Sequence, residues 1–293
     1  MGAVSDAFRR SAESFGCKVR TEAPVEKILI ENGRAKGVVI TGGEELYAPV
    51  IVTACHPQIT FLQQIDRSEL PTEFVRDIEN WRSRSGTVKI NLAISELPSF
   101  IADPNPRDGS IPWHLTGSVE LSLSPKYVED AFQDAKQGRA ATAPFSDGVI
   151  PTVVDKTLAP EGVHIFSLFT QWCPHEWSKE PHTEELEAYT DRIIDLYDSL
   201  APGFKSSVIA RQTLGPYEME QELGMIGGNI FHGELAADQL FHMRPAPGYS
   251  DFRSPIKGLY QAHSGTHAGG GVNGIPGYHA VRQIVKDRAL KRR

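Results

Sequence analysis

Five glycines, Gly265, Gly269, Gly270, Gly271 and Gly274, crowd into ten residues between a strand-like stretch at 258–265 and a helical pattern at 275–290. A strand that enters a glycine-rich turn and then a helix suits an anion or a cofactor. Glycine lets a ligand approach the backbone, and the first turn of a helix offers unpaired N–H groups at the positive end of its dipole. A plain flexible loop is the alternative, and the position between strand and helix is what favours the site. His263 and His267 stand four apart, with His279 beyond. Zinc needs such a pair on a rigid frame with a further ligand nearby. These two straddle a strand end and a glycine loop with no Cys or carboxylate close in sequence. No metal is expected, and ordinary polar lining of a pocket is. Ser264 lies in His-Ser-Gly and not in the strained GxSxG turn that exposes a hydrolase nucleophile. Cys55 and His56 suggest a thiolate beside a base, but neighbours on a strand point to opposite faces, which favours a structural role. Lys286, Arg288, Lys291, Arg292 and Arg293 suit the negative end of a helix and a solvated face.

The elements that must hold these residues follow from spacing. Residues 1–16 read as a helix, with Ser5 as N-cap, Gly16 as its stop, and Ala7, Phe8, Ala12 and Phe15 on one face. Residues 18–20 and 25–30 are strand-like, Asn32 and Gly33 mark a hairpin, and 35–40 is the return strand. Gly42 and Gly43 turn the chain again before 45–48, and 49–54 is a short apolar strand of the kind buried in a parallel sheet. Further on, 71–80 reads as a helix, 87–94 as a long alternating strand, and 119–123 as another strand. Ser124 and Pro125 open a helix over 126–136. Strands are expected at 150–155 and 164–171, a mobile loop at 98–112, and an amphipathic helix at 184–200 carrying Leu186, Tyr189, Ile193, Leu196 and Leu200. Together these predict an α/β plus α+β fold. An incomplete FAD/NAD(P)-binding, Rossmann-like domain is formed by 1–65 and 250–293, and a mixed-sheet substrate-type domain by 66–249.

Composition narrows the function classes. With 40% hydrophobic and 23% charged residues the chain reads as a folded globular protein. Its net charge of −7 argues against a nucleic-acid partner. No stretch approaches the roughly 18 consecutive apolar residues of a membrane helix. Three scattered cysteines, Cys17, Cys55 and Cys173, read as reduced thiols, and a cytoplasmic location is expected.

The motif GGNIFHG at 227–233, Asp238, Gln239 and Leu240, Arg244 and Pro245, and GLY at 258–260 leading to HAGGGV at 267–272 together resemble the C-terminal part of the phytoene desaturase-like flavin amine oxidoreductases, in particular their phytoene dehydrogenase-related group. MGAVSDA at 1–7, VEKI at 25–28 and VTA at 52–54 match segments inside such proteins. The resemblance implies FAD and an FAD-dependent oxidoreductase, or its C-terminal part, that moves hydride from an organic, mainly apolar small molecule to flavin. It implies backbone contacts to FAD from Val25, Thr53 and Ala54, and from Gly265, Gly269, Gly270, Gly271 and Val272. It places Asn229 and His232 toward the substrate and His267 at the flavin edge. The GxGxxG unit that holds the pyrophosphate in the family is absent from the sequence. The expectation is therefore a homo-oligomer, or pairing with a missing N-terminal portion. A flavin-free binding or assembly module is the alternative, and a cofactor-free hydrolase or isomerase a third.

Overall fold

The order of secondary structure follows closely from turn residues and periodicity. A computed structural model describes residues 2–290; Met1 and the basic Lys291, Arg292 and Arg293 lie outside them. In chain order the helices are α1 (Gly2–Ser14), α2 (Thr72–Glu79), α3 (Pro125–Lys136), α4 (Thr183–Leu200), α5 (Phe204–Ser207), α6 (Pro216–Leu223) and α7 (Ile275–Leu290). The strands are β1 (Val25–Glu31), β2 (Arg34–Ile40), β3 (Glu44–Tyr47), β4 (Ile51–Thr53), β5 (Thr87–Ile94), β6 (Ser118–Leu121), β7 (Phe145–Val149), β8 (His164–Gln171), β9 (Val208–Leu214) and β10 (Leu259–Gln261).

The chain divides into two units, 1–82 with 230–293, and 83–229. In the first, β1, β2 and β3 form an antiparallel meander. Asn32 and Gly33 have φ of 51° and 68°. This left-handed pair lets a two-residue hairpin follow the twist of its strands. A separate pair, β4 and β10, is parallel and joins Leu259 to Ile51 and Gln261 to Thr53. The core gathers Ile28 and Ala35 from the meander, Phe61 and Ile65 after β4, Phe74, Val75 and Ile78 from α2, and Ala246, Ile256 and Leu259. Phe61 and Tyr249 both meet the Phe74 ring edge-on, with centroids 4.8 Å apart, the arrangement that ring quadrupoles prefer. This packing draws 66–82 and 230–249 into the first unit, where the sequence reading had them in the second.

The second unit is a five-stranded antiparallel sheet in the order β6-β7-β8-β5-β9. One face carries Val88, Ile90, Leu92, Ile94, Phe166 and Leu168, packed beneath Leu186, Tyr189, Ile193 and Tyr197 of α4. Ser124 caps α3 by accepting the Tyr127 N–H at 3.1 Å, which satisfies one of the free donors of its first turn.

Several expectations need correction. Ser5 lies inside α1 and does not cap it, and no residue of α1 is buried: Phe8 is 62% exposed and Phe15 89%. Gly16 does stop the helix, with Gly16 N–H bonded to Glu13 and Cys17 N–H to Ala12. Residues 18–20 form no strand. The strand expected at 150–155 is a turn that begins at Pro151, and the true strand, β7, precedes it. In β7, Gly148 leaves the place of a Cβ to the Leu168 and Phe166 side chains, a close approach that only glycine admits. Strand β9 and helix α6 were not expected; Pro216 at the start of α6 and left-handed Gly224 at its end are the signals that mark the helix. Val52 of β4 is 46% exposed, so that strand is covered only in part. Cys17 and Cys55 are exposed and Cys173 is buried, all as free thiols. Among the described residues no helix is long and apolar enough to cross a membrane.

Candidate functional site

In the first unit the carboxyl ends of β4 and β10 lie side by side, and each releases a loop carrying a histidine. The Ala262 N–H continues the pairing to the Thr53 carbonyl at 2.8 Å. Thr53 is buried, its hydroxyl 2.6 Å from that of Thr60 and accepting the Cys55 N–H. Three residues after Thr53 stands His56, 1% exposed, whose Nδ1 accepts the Gln58 N–H at 3.1 Å. That bond puts the ring proton on Nε2 in the neutral form. Two residues after Gln261 stands His263, 4% exposed, with its carbonyl held by the Thr266 backbone N–H and hydroxyl. Neither ring nitrogen of His263 has a hydrogen-bond partner among the described residues. A third imidazole, His232, stacks on His56 with ring centroids 5.8 Å apart, and its Nδ1 is also buried without a partner.

Behind the imidazoles lies Arg244, with 0% exposure. Its Nε and Nη2 both donate to the Ser264 carbonyl, at 3.0 and 2.8 Å. Nη1 donates to the Glu234 and Gln239 carbonyls and Nη2 to that of Phe231. The guanidinium lies over the Trp81 ring at 5.0 Å, and Trp81 Nε1 donates to the His232 carbonyl. The negative face of the indole thus lies toward the charge. One side chain ties loop 231–239 to the start of the glycine-rich segment by neutral carbonyl dipoles. Burial lowers its pKa to about 10, so it stays cationic at neutral pH. Burial above all, then the neighbouring His232 and Arg244, lower His56 to about 3. The same causes, with His56 added, lower His263 to about 3, and burial and Arg244 lower His232. Both causes penalise the protonated ring. The result is one fixed positive charge beside three neutral imidazoles, a setting that favours an electron-rich acceptor over a cation. Among the described residues no group of three His, Cys, Asp or Glu side chains has a metal-holding arrangement.

The glycine-rich segment leaves this cluster and runs to α7. Gly269 and Gly271 take φ of 91° and 131°, backbone that disfavours any side chain. A Cβ on Gly269 would find only Arg244 Nε, 4.0 Å away, so the backbone there has open space beside it. At Gly270 the Cβ direction is filled by the Phe231 ring edge, and at Gly265 by the His263 ring and Pro57. The Ile275 N–H at the start of α7 is taken by Asn273 Oδ1 at 2.9 Å. The far end is anchored by Asp287, which accepts two bonds from Arg253 and one each from Tyr260 and Gln283.

Of the residues singled out from sequence, Thr53, Gly265, Gly269, Gly270, Gly271, Val272 and His232 therefore sit on or beside this end of the parallel pair. Ala54 is exposed on the same loop as His56. His267 is exposed and meets the Phe241 ring, centroids 5.6 Å apart, instead of joining the buried imidazoles. Val272 is 67% exposed. Val25 opens β1 and gives its carbonyl to Gln64 Nε2. Asn229 belongs to the second unit, where its Nδ2 donates to the Arg84 carbonyl at 2.8 Å. Sequence reasoning missed Trp81 altogether, took Arg244 only as part of a motif, and set His56 and His263 aside. The only physical mark Arg244 leaves in the sequence is a charge set against an apolar, proline-rich run, which periodicity does not register.

No family model matches the chain. Curated relatives do. Pyridine nucleotide-disulfide oxidoreductase domain-containing protein 2 of Rattus norvegicus is 40% identical over 291 residues, 98% of this chain and 50% of that protein. The chloroplastic prolycopene isomerase of Daucus carota is 25% identical over 228 residues, 74% of this chain and 32% of that one. Among solved structures, an oxidoreductase from Methanosarcina mazei superposes with a TM-score of 0.59 at 21% identity, over 96% of this chain and 53% of the other, which establishes a common fold. The chain spans about half the length or less of these proteins. Taken with the motifs at its C-terminal end, these matches place the chain in the family of pyridine nucleotide-disulfide oxidoreductase domain-containing protein 2 and the phytoene desaturases and prolycopene isomerases.

Proposed function

We propose that this chain is the C-terminal part of an FAD-dependent oxidoreductase in which hydride passes from an organic small molecule to flavin. The observation that carries the reading is the paired carboxyl ends of β4 and β10, which bring His56, His263 and the glycine-rich segment together ahead of α7. Ligands of open parallel sheets bind at this end of the strands. The residues present fit the cofactor on two counts: open backbone at Gly269, and buried imidazole nitrogens of His263 and His232 that lack partners among the described residues.

When bound, FAD supplies the two-electron acceptor. The chain's own residues would do the rest. The backbone of Thr53, Ala54, Gly269, Gly271 and Val272 would hold it, with Val25 on the adenine side by the family resemblance. Arg244 holds loop 231–239 and Ser264 in fixed relation, and with them the backbone that carries His232 and His263. The first unit, in this reading, is the incomplete FAD-binding, Rossmann-like domain, and the second is the substrate domain, with Asn229 at its edge. His267, exposed on its loop, is the candidate for the flavin rim. Apolar side chains left exposed on α1 and α7, among them Phe8, Tyr278, Val281 and Val285, are covered in this proposal by a second copy or by the half that the longer relatives carry.

The test is a visible absorption spectrum of the purified chain after incubation with FAD and removal of free flavin. Retained flavin absorbance, weakened in Gly270→Val where the new side chain displaces Phe231, is the expected result. A folded chain that retains no flavin, alone or with the N-terminal half of a relative, overturns the reading and favours a flavin-free binding module.

A further inference from the structure

The hydrogen bonds of Arg244 account for its shape and leave its charge unexplained. All five of its N–H groups are taken, by the carbonyls of Ser264, Glu234, Gln239 and Phe231. A guanidinium is the side chain that offers five donors in one plane, which suits it to tie these segments together. A carbonyl is a dipole, however, and adds no negative unit to cancel the cation. Buried cations in folded proteins are ordinarily met by a carboxylate. None of the ion pairs among the described residues involves Arg244, and burial is the one influence on its pKa. The carboxylates of its own loop are drawn elsewhere, since Arg82 takes Glu234 at 3.4 Å and Asp238 at 2.6 Å.

The charge is felt where the glycine-rich segment opens. Arg244 opposes protonation of His56, His232 and His263, so all three imidazoles lie within its field. At Gly269 the one atom that a Cβ would meet is Arg244 Nε, 4.0 Å away. Trp81, 5% exposed, lies over the guanidinium, and His56 and His263 are equally buried. A charge enclosed in this way is weakly screened. In such surroundings two unit charges about 10 Å apart shift an equilibrium by about tenfold or more. The open backbone at Gly269 therefore stands beside one uncompensated positive charge. A molecule that becomes negative there is held more tightly than the same molecule in its neutral form.

We propose that the uncompensated charge of Arg244 makes this site hold the reduced, anionic form of flavin more tightly than the oxidised, neutral form, and so raises the reduction potential of the cofactor. This inference rests on the flavin reading given above and adds to it the residue that sets the balance between the two forms. The charge count is simple. Breaking a substrate C–H bond with transfer of hydride gives the flavin two electrons and one proton, so a neutral ring system ends with a charge of −1 while the substrate is oxidised and releases a second proton to solvent. Arg244 has no donor left to touch the cofactor. It acts through its field alone, and a cation of any shape at its place would act in the same direction.

The experiment compares dissociation constants of the full chain, alone or with the N-terminal half of a relative, for oxidised FAD and for dithionite-reduced FAD under argon at pH 7. Reduced FAD is expected to bind at least about tenfold more tightly, which places the potential of the bound flavin at least about 30 mV above that of free FAD. Arg244→Lys, which keeps the charge and gives up most of the bonds, should retain most of the preference, and Arg244→Met should lose it. Should Arg244→Met fail to fold, His263→Asp and His263→Asn supply the second comparison. Both remove the same imidazole, and only the aspartate sets a negative charge against Arg244. The preference should be weaker in His263→Asp than in His263→Asn. Equal affinities for the two forms in the wild type, an unchanged preference in Arg244→Met, or equal preferences in the two His263 variants each overturns the inference and leaves the cofactor reading standing. A folded chain that binds neither form overturns both.

Discussion

Lowering the pH from 7 to 5 should destabilise the first unit far more than its carboxylates alone would. His56 and His263 are held near 3 in the folded protein, against an ordinary imidazole value of 6.5. Between pH 6.5 and 5 the unfolded chain takes up protons at these positions and the folded chain does not. More protons bound in the unfolded state means that stability falls with falling pH. One and a half pH units at about 1.4 kcal/mol per unit amounts to about 2 kcal/mol for each imidazole by pH 5. Two such groups reach about 4 kcal/mol, a large share of the ~5–15 kcal/mol that holds a typical domain together. His232, lowered by the same burial, acts in the same direction. Asp287, held near 2 chiefly by Arg253, has an ordinary value of 3.8, so its contribution is lost only below this window. The assay is urea unfolding followed by circular dichroism at pH 7, 6 and 5. The midpoint should fall at each step, with a slope that reports two to three protons taken up on unfolding at pH 5. In His263→Phe the dependence should shrink by roughly a third to a half. An unchanged midpoint between pH 7 and 5, or a His263→Phe variant as acid-sensitive as the wild type, would refute the claim that the imidazoles are buried and neutral.

Two further predictions concern the supports of the same region. Asp287→Asn should loosen α7 from β10 and cost about 2 kcal/mol, the scale of a charge-assisted hydrogen-bond acceptor. The substitution removes the charge shared by Arg253, Tyr260 and Gln283; an unshifted thermal midpoint would contradict the prediction. At Gly233 φ is 145° and a new methyl would enter the Trp81 ring. Gly233→Ala should therefore cost at least about 2 kcal/mol by overpacking. Gly33 has open space around it, so Gly33→Ala should lose only about 1 kcal/mol of backbone strain. Equal losses in the two variants, read by urea unfolding, would mean that the ring does not confine the loop.

Much of the local structure was legible from sequence because its causes are local. Asn32 and Gly33 close the β1–β2 hairpin, Ser124 and Pro125 start α3, and Gly16 stops α1, each through backbone dihedrals or a cap set by the residue itself. The alternation of 87–94 and 164–171 and the length of the last helix yielded β5, β8 and α7 with the bounds expected. Where local rules failed, a distant neighbour had decided. Gly148 serves a strand because two side chains of β8 occupy the place of its missing Cβ. The exposure of Phe8 and Phe15 defeats the apolar face read into α1, since periodicity states which residues share a side and not whether anything covers it.

By itself the sequence determined the family, through motifs at 227–233 and 258–272, and with it the expectation of flavin chemistry and a glycine-rich segment ahead of the last helix. Only the tertiary structure decided that His56, His232 and His263 meet, and that Arg244 lies buried on backbone carbonyls. It also decided that Lys89 of β5 faces away from the core, with its ammonium on Ser167 and Asn91. Those outcomes depend on contacts between residues far apart along the chain, and burial or the lack of a counter-charge is a property of such contacts that no window of sequence contains.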